Sequence, residues 1–81
     1  MVYDYYLLFI DSDYGTTLKS FRIKNGLTQK EFSALVNSRG AAKRWESGRA
    51  KPTRASYEII QKVFKEYKHQ ARFASLPTRL H

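Results

Sequence analysis

Arg39, Lys43 and Arg44 are the side chains in this chain best spaced for recognition chemistry. On a helix, Lys43 lies one turn after Arg39 on the same side and Arg44 stands next to it, so three cations project outward. A guanidinium in the first turn of such a helix can donate two hydrogen bonds to O6 and N7 of guanine. A lysine one turn later can do the same or hold a phosphate. Gly40 costs a helix about 1 kcal/mol relative to alanine, but it removes a side chain where a backbone would approach base edges. An ordinary solvated basic face has the same composition, so the element carrying these residues must decide between the two readings.

Other candidates for chemistry fall away. Leu7-Leu8-Phe9-Ile10-Asp11-Ser12-Asp13 looks like the nucleophile loop of haloacid-dehalogenase-type phosphatases. That chemistry needs a much larger doubly wound domain, a lysine and further carboxylates for Mg²⁺. Asp11 and Asp13 also fit the first ligands of a calcium loop, but Arg22 stands where a bidentate glutamate is required. His69 and His81 have no suitable partner nearby in sequence. No catalytic residue, metal site or cofactor is expected, and the chain is read as a non-enzyme.

The elements around the cations read as short helices. Thr16 or Thr17 can cap a first helix with Leu18 and Phe21 on its buried side, stopped by Asn25-Gly26. Ile23 falls off that stripe. Thr28 and Glu31 form a capping-box pattern for a second helix, in which Phe32, Leu35 and Val36 share a face. Asn37 tolerates the left-handed geometry that ends it. Ser38 is expected to cap a third helix with Ala41, Ala42 and Trp45 inward and Arg39, Gly40, Lys43 and Arg44 outward. Trp45 reads as core rather than a stacking platform, and Glu46 is expected to bond the following loop. Gly48 suits a helix stop. Thr53 can cap a fourth helix running from about Arg54 into the high sixties, with Tyr57, Ile60, Val63, Phe64 and Tyr67 on one side.

The segment Leu27 to Gly48, LTQKEFSALVNSRGAAKRWESG, carries a resemblance. Its start, Leu27-Thr28-Gln29-Lys30-Glu31, and its end, Trp45-Glu46-Ser47-Gly48 followed by Pro52, resemble the lambda-repressor-like (Cro/cI, XRE) helix-turn-helix family. The resemblance covers roughly Leu18 to Phe64. The chain departs from the usual pattern in the turn, where Asn37 leads directly into Ser38 without a glycine and a small apolar residue. The resemblance implies that Gln29 bonds the DNA backbone, and a helix N-terminus does favour a phosphate. Lys30, Arg44, Arg49 and Lys51 can flank that contact, adding affinity with little sequence information. With Ser38, Arg39, Gly40 and Lys43 they make up the expected DNA-binding set. The implied role is a regulator binding double-stranded DNA as a homodimer on a palindromic operator, a repressor or autorepressor from a bacterium, phage or plasmid. Two alternatives stay open: an antitoxin-like protein with a toxin partner, and a DNA-bending excision or architectural factor.

Composition agrees with that reading. The 81 residues carry a net charge of +8 and no cysteine. Residues 1–17 hold Asp4, Asp11 and Asp13 and no base, whereas residues 18–56 hold ten Lys or Arg against Glu31 and Glu46. The positive charge therefore sits on the segment that would meet nucleic acid. Disulfides and thiolate metal sites are excluded. Residues Tyr5–Ile10 are too short an apolar run to span a bilayer, and a cytoplasmic, nucleoid-associated location is expected.

Val2 to Ile10, rich in aromatic and aliphatic residues, predicts a strand ending in an Asp-rich turn. Tyr3, Tyr5, Leu7 and Phe9 on one side of it are the expected dimer or partner-protein interface. The expected architecture is thus mainly α: a four-helix lambda-repressor-like domain over residues 16–74, an added N-terminal β-strand and turn in residues 1–15, and an irregular tail over 75–81.

Overall fold

In the computed structural model the backbone is described for residues 4–74 and the side chains for residues 4–68. The described chain forms five helices: α1 Tyr5–Asp11, α2 Tyr14–Lys24, α3 Gln29–Leu35, α4 Ala41–Glu46 and α5 Arg54–Ala74. Tyr3, His81 and the expected tail over 75–81 lie outside the described residues.

The three short connections after α2, α3 and α4 end the helices by one device. Gly26, Asn37 and Gly48 adopt left-handed φ values of 69°, 56° and 78°. At each end the next amide reaches back across the last turn: Leu27 N–H to Arg22 O, Ser38 N–H to Ser33 O and Arg49 N–H to Arg44 O, at 2.9–3.0 Å. These are Schellman closures, which satisfy carbonyls that a helix end leaves bare. The stops expected at Gly26, Asn37 and Gly48 are therefore realised. So is the capping box: Glu31 N–H donates to Thr28 Oγ1 and Thr28 N–H to Glu31 Oε1, at 3.0 and 2.8 Å.

The core is built where α2, α3, α4 and α5 converge. Leu18, Phe32, Val36, Ala41, Ala42, Trp45, Ile60 and Val63 are buried. Phe21 stacks on Phe64 with ring centroids 4.2 Å apart and meets Tyr67 edge-on. Ile23, off the apolar stripe, is exposed. Thr53 caps α5 as expected, accepting from Ser56 N–H at 3.1 Å, and α5 runs on to Ala74, past the expected high sixties.

Three expectations are corrected. Among the described residues there is no strand, and the described part of the segment expected to form one, from Tyr5 on, lies in the helix α1. Asp4 caps it, accepting from Leu7 N–H. An isolated strand would leave its N–H and C=O groups unpaired, whereas a helix satisfies them internally. Seven residues are too few for a stable free helix, so packing supports it. Tyr6 and Phe9 meet the Tyr57 ring at centroid distances of 5.6 and 5.1 Å.

The second correction concerns the α2 start. Asp13, not Thr16 or Thr17, caps this helix, accepting from Thr16 N–H. The third concerns α4. Ser38, Arg39 and Gly40 form a turn, and the helix begins only at Ala41. The N-cap is Gly40, in a left-handed conformation at φ 71°. Gly40 is therefore not a helical residue bearing a propensity penalty. Its lack of Cβ permits the positive φ that redirects the chain into α4.

Candidate nucleic-acid interface

The helix α4 has only six residues and a cap without a side chain, so other elements must hold it. At its N-terminus, Ala42 N–H donates to Oγ of buried Ser33 on α3, at 2.9 Å. A serine nine residues upstream thus satisfies an amide that a local cap normally takes. On its inner face Ala41 and Ala42 are fully buried and Trp45 is nearly so. The small methyl groups let α4 lie close to its neighbours.

At its C-terminus, Glu46 faces α2 rather than the following loop as expected. Arg22 Nε and Nη2 donate to Glu46 Oε2 and Oε1 at 2.7 and 3.1 Å, a bidentate pair. The Arg22 side chain is 14% exposed and that of Glu46 5%. Arg22 Nη1 also donates to Leu27 O at 3.0 Å, and Gln29 Nε2 to Glu46 Oε1 at 3.2 Å. The carboxylate holds the Arg22 guanidinium charged, raising its pKa. Gly15 lets the start of α2 touch the end of α4: an added Cβ would lie 2.9 Å from Glu46 O and 3.0 Å from Trp45 O.

With the inner face so fastened, the cations point away. Lys30, Arg39, Lys43, Arg44, Arg49 and Lys51 are all exposed. Arg39 lies in the turn before α4, not in its first helical turn as expected. Arg44 folds back, and its Nη1 donates to Arg39 O at 3.2 Å. A groove of about 540 Å³ opens between α3 and α4. Six of the expected site residues line it: Gln29, Lys30, Ser38, Arg39, Gly40 and Lys43. Ser33, Ala34 and Asn37 complete the lining, so the groove carries three cations and no carboxylate. Arg44, Arg49 and Lys51 are not among its lining residues.

Sequence reasoning missed Ser33, Ala34 and Asn37 as walls of this groove. Ala34 and Asn37 were legible in principle. Ala34 is an exposed position on α3 two residues from buried Phe32, and Asn37 is the exposed residue that closes the helix.

The expected protein interface is partly rearranged. Tyr5, Leu7 and Leu8 are 66%, 55% and 53% exposed on the outer side of α1. Phe9 instead turns inward against Tyr14 and Tyr57, because helical spacing puts Tyr6 and Phe9 on the same face. The Asp-rich turn has a structural use, since Asp13 caps α2. Among the described residues no group of three or more potential metal ligands comes together, and no helix is long and apolar enough to cross a membrane.

No curated protein and no solved structure matches the chain at a significant level. A family model described as helix-turn-helix matches residues 18–68. The match starts within α2 and runs well into α5, taking in α3, the turn and α4, and leaves α1 outside. A capped α3, a turn closed at Asn37 and a cationic α4 seated by Trp45 are thus the parts of a matched domain, and the chain belongs to the XRE/lambda-repressor-like helix-turn-helix family, a family of DNA-binding regulators.

Proposed function

We propose that this protein is a sequence-specific regulator of transcription that binds double-stranded DNA as a homodimer and represses from a palindromic operator. The observation that carries this reading is the α3–α4 groove, whose charged lining is Lys30, Arg39 and Lys43 with no carboxylate. Arg39, at the leading edge of α4, reads guanine through two parallel hydrogen bonds, and Lys43 one turn on supports it. Gln29 and Lys30 at the start of α3 take phosphate oxygens, which fixes register without reading sequence. Gln29 keeps one amide hydrogen on Glu46, so its contact to DNA is tied to the pair that holds α4.

The outer face of α1 supplies the dimer contact. Tyr5, Leu7 and Leu8 are large apolar side chains at the surface, and such patches mark association sites. A two-fold dimer places its two α4 helices in successive major grooves about 34 Å apart. The same apolar face supports a second reading, an antitoxin-like regulator whose α1 docks a partner protein.

Selection of bound fragments from random-sequence duplex DNA tests the proposal, since it reports motif, symmetry and half-site spacing together. A two-fold-symmetric motif is expected. Arg39→Ala should then cost about 1–3 kcal/mol on that motif and relax base preference. An unchanged ratio of specific to random affinity removes Arg39 from the readout. Leu7→Glu with Leu8→Glu should yield a monomer by sedimentation. A dimer surviving those changes moves the interface elsewhere.

A further inference from the structure

The loop between α4 and α5 carries the exposed cations Arg49 and Lys51, and its backbone is held from two directions. Residues alternate along it: Ala50 is half-buried and Pro52 fully buried, while Arg49 and Lys51 face solvent. The loop's first amides, from Arg49 and Ala50, both donate to Arg44 O, at 2.9 and 3.3 Å. Its inward carbonyls are taken by phenols. Tyr14 Oη on α2 donates to Ala50 O at 3.1 Å, and Tyr6 Oη on α1 to Pro52 O at 2.7 Å. Just beyond, Arg54 makes a bidentate pair with Asp4, at 2.6 and 3.1 Å, and lies 4.7 Å over the Tyr6 ring.

We propose that α1 and the first residue of α2 brace this loop into a fixed phosphate clamp, with Tyr6 and Tyr14 as its positioning residues. The inference rests on the DNA-binding reading above. Its physical basis is preorganisation. A lysine and an arginine on a free loop lose backbone freedom when they settle on phosphates, and that loss weakens binding. Here the freedom is already gone. Two carbonyls point inward onto hydroxyls set by different helices, and the buried Pro52 fixes one φ angle. The alternation then leaves Arg49 and Lys51 no inward option. Tyr6 and Tyr14 both precede the matched family segment, residues 18–68, so the brace is an addition to the helix-turn-helix domain rather than part of it.

Tyr6→Phe and Tyr14→Phe test the proposal, because each keeps the ring and removes only the donor. Affinity of the full chain for a selected duplex and for a random duplex is measured against salt concentration. The double variant should bind both duplexes roughly three- to ten-fold more weakly. Its log–log salt slope should be shallower by about one to two, the effect of losing one or two phosphate contacts. The ratio between the two duplexes should not move. Arg49→Ala with Lys51→Ala should flatten the slope similarly, and the tyrosine changes should add nothing on that background. A merely destabilising effect would leave the slope steep and add in full.

Three results overturn the brace: wild-type slope and affinity in the double variant, full additivity with the loop-cation changes, or an altered ratio between duplexes. If the unaltered protein binds neither duplex, the clamp falls together with the DNA-binding reading. If it binds and the tyrosine variants match it, the brace alone is refuted.

Discussion

Replacing Glu46 by alanine is expected to damage this domain more than any surface change. The carboxylate is almost wholly inside, with Arg22 on both oxygens and Gln29 on one. Removing it strands the Arg22 guanidinium, which is largely shielded from water. Breaking a buried pair from one side costs about 3–5 kcal/mol. The lower end applies here, because Arg22 retains some exposure and its bond to Leu27 O. At ~0.05–0.15 kcal/mol per residue, a chain of this length is stable by roughly 4–12 kcal/mol, so a loss of about 3 kcal/mol is a large share. For a small domain it corresponds to a fall in Tm of about 12–24 °C. Urea and thermal unfolding measure it directly. Replacing both partners, Arg22→Met with Glu46→Leu, should recover most of the loss, since no charge is then left buried. DNA binding by that double variant should stay weakened, because Gln29 loses its anchor. If Glu46→Ala unfolds within about 1 kcal/mol of the parent, the low end for breaking a buried pair is missed and the view that this pair fastens α4 is wrong.

Three further changes probe the same seating. Gly15→Ala should destabilise by about 1–3 kcal/mol despite alanine's helix propensity, because the new methyl meets backbone oxygens of Trp45 and Glu46 that cannot swing away; an equal or higher Tm would refute that close approach. Ser33→Ala should cost about 1–3 kcal/mol by leaving the Ala42 N–H without its acceptor, and hydrogen exchange at Ala42 should accelerate; unchanged protection there would show that α4 needs no cap from α3. The third probe is pH. The Arg54 guanidinium, bonded to Asp4, holds its carboxyl below the ordinary 3.8. A lowered folded pKa gives stability that is complete above the ordinary value and lost as pH falls through the lowered one. Contact of α1 with α5 should therefore loosen in acid below pH 3.8, seen as a change in the Tyr6 and Tyr57 ring resonances. Asp4→Asn should abolish that transition.

Much of the helix-turn-helix unit was legible in the chain because its signals are local. The capping box at Thr28 and Glu31 is three residues wide, and the stops at Gly26, Asn37 and Gly48 each need only one residue that accepts positive φ. The inward face of α4 followed from helical spacing of Ala41, Ala42 and Trp45. The segment α1 was not legible. Its apolar residues fit a two-residue and a 3.6-residue period equally over so short a run, and what selects the helix is Tyr57 packing against it from fifty residues away.

What the sequence by itself determined is the set of parts: four helical stretches with the stops of the first three, a cationic strip, and an indole to seat it. The tertiary structure decided where α4 begins, who caps it and which partner Glu46 takes. The cap and the Glu46 pair depend on Ser33 and Arg22, and the hold on the loop after α4 on Tyr14 and Tyr6, which together act across 9 to 46 positions of chain. No local pattern reports such pairings, because a hydroxyl or guanidinium is a competent partner for many groups until packing brings one within reach.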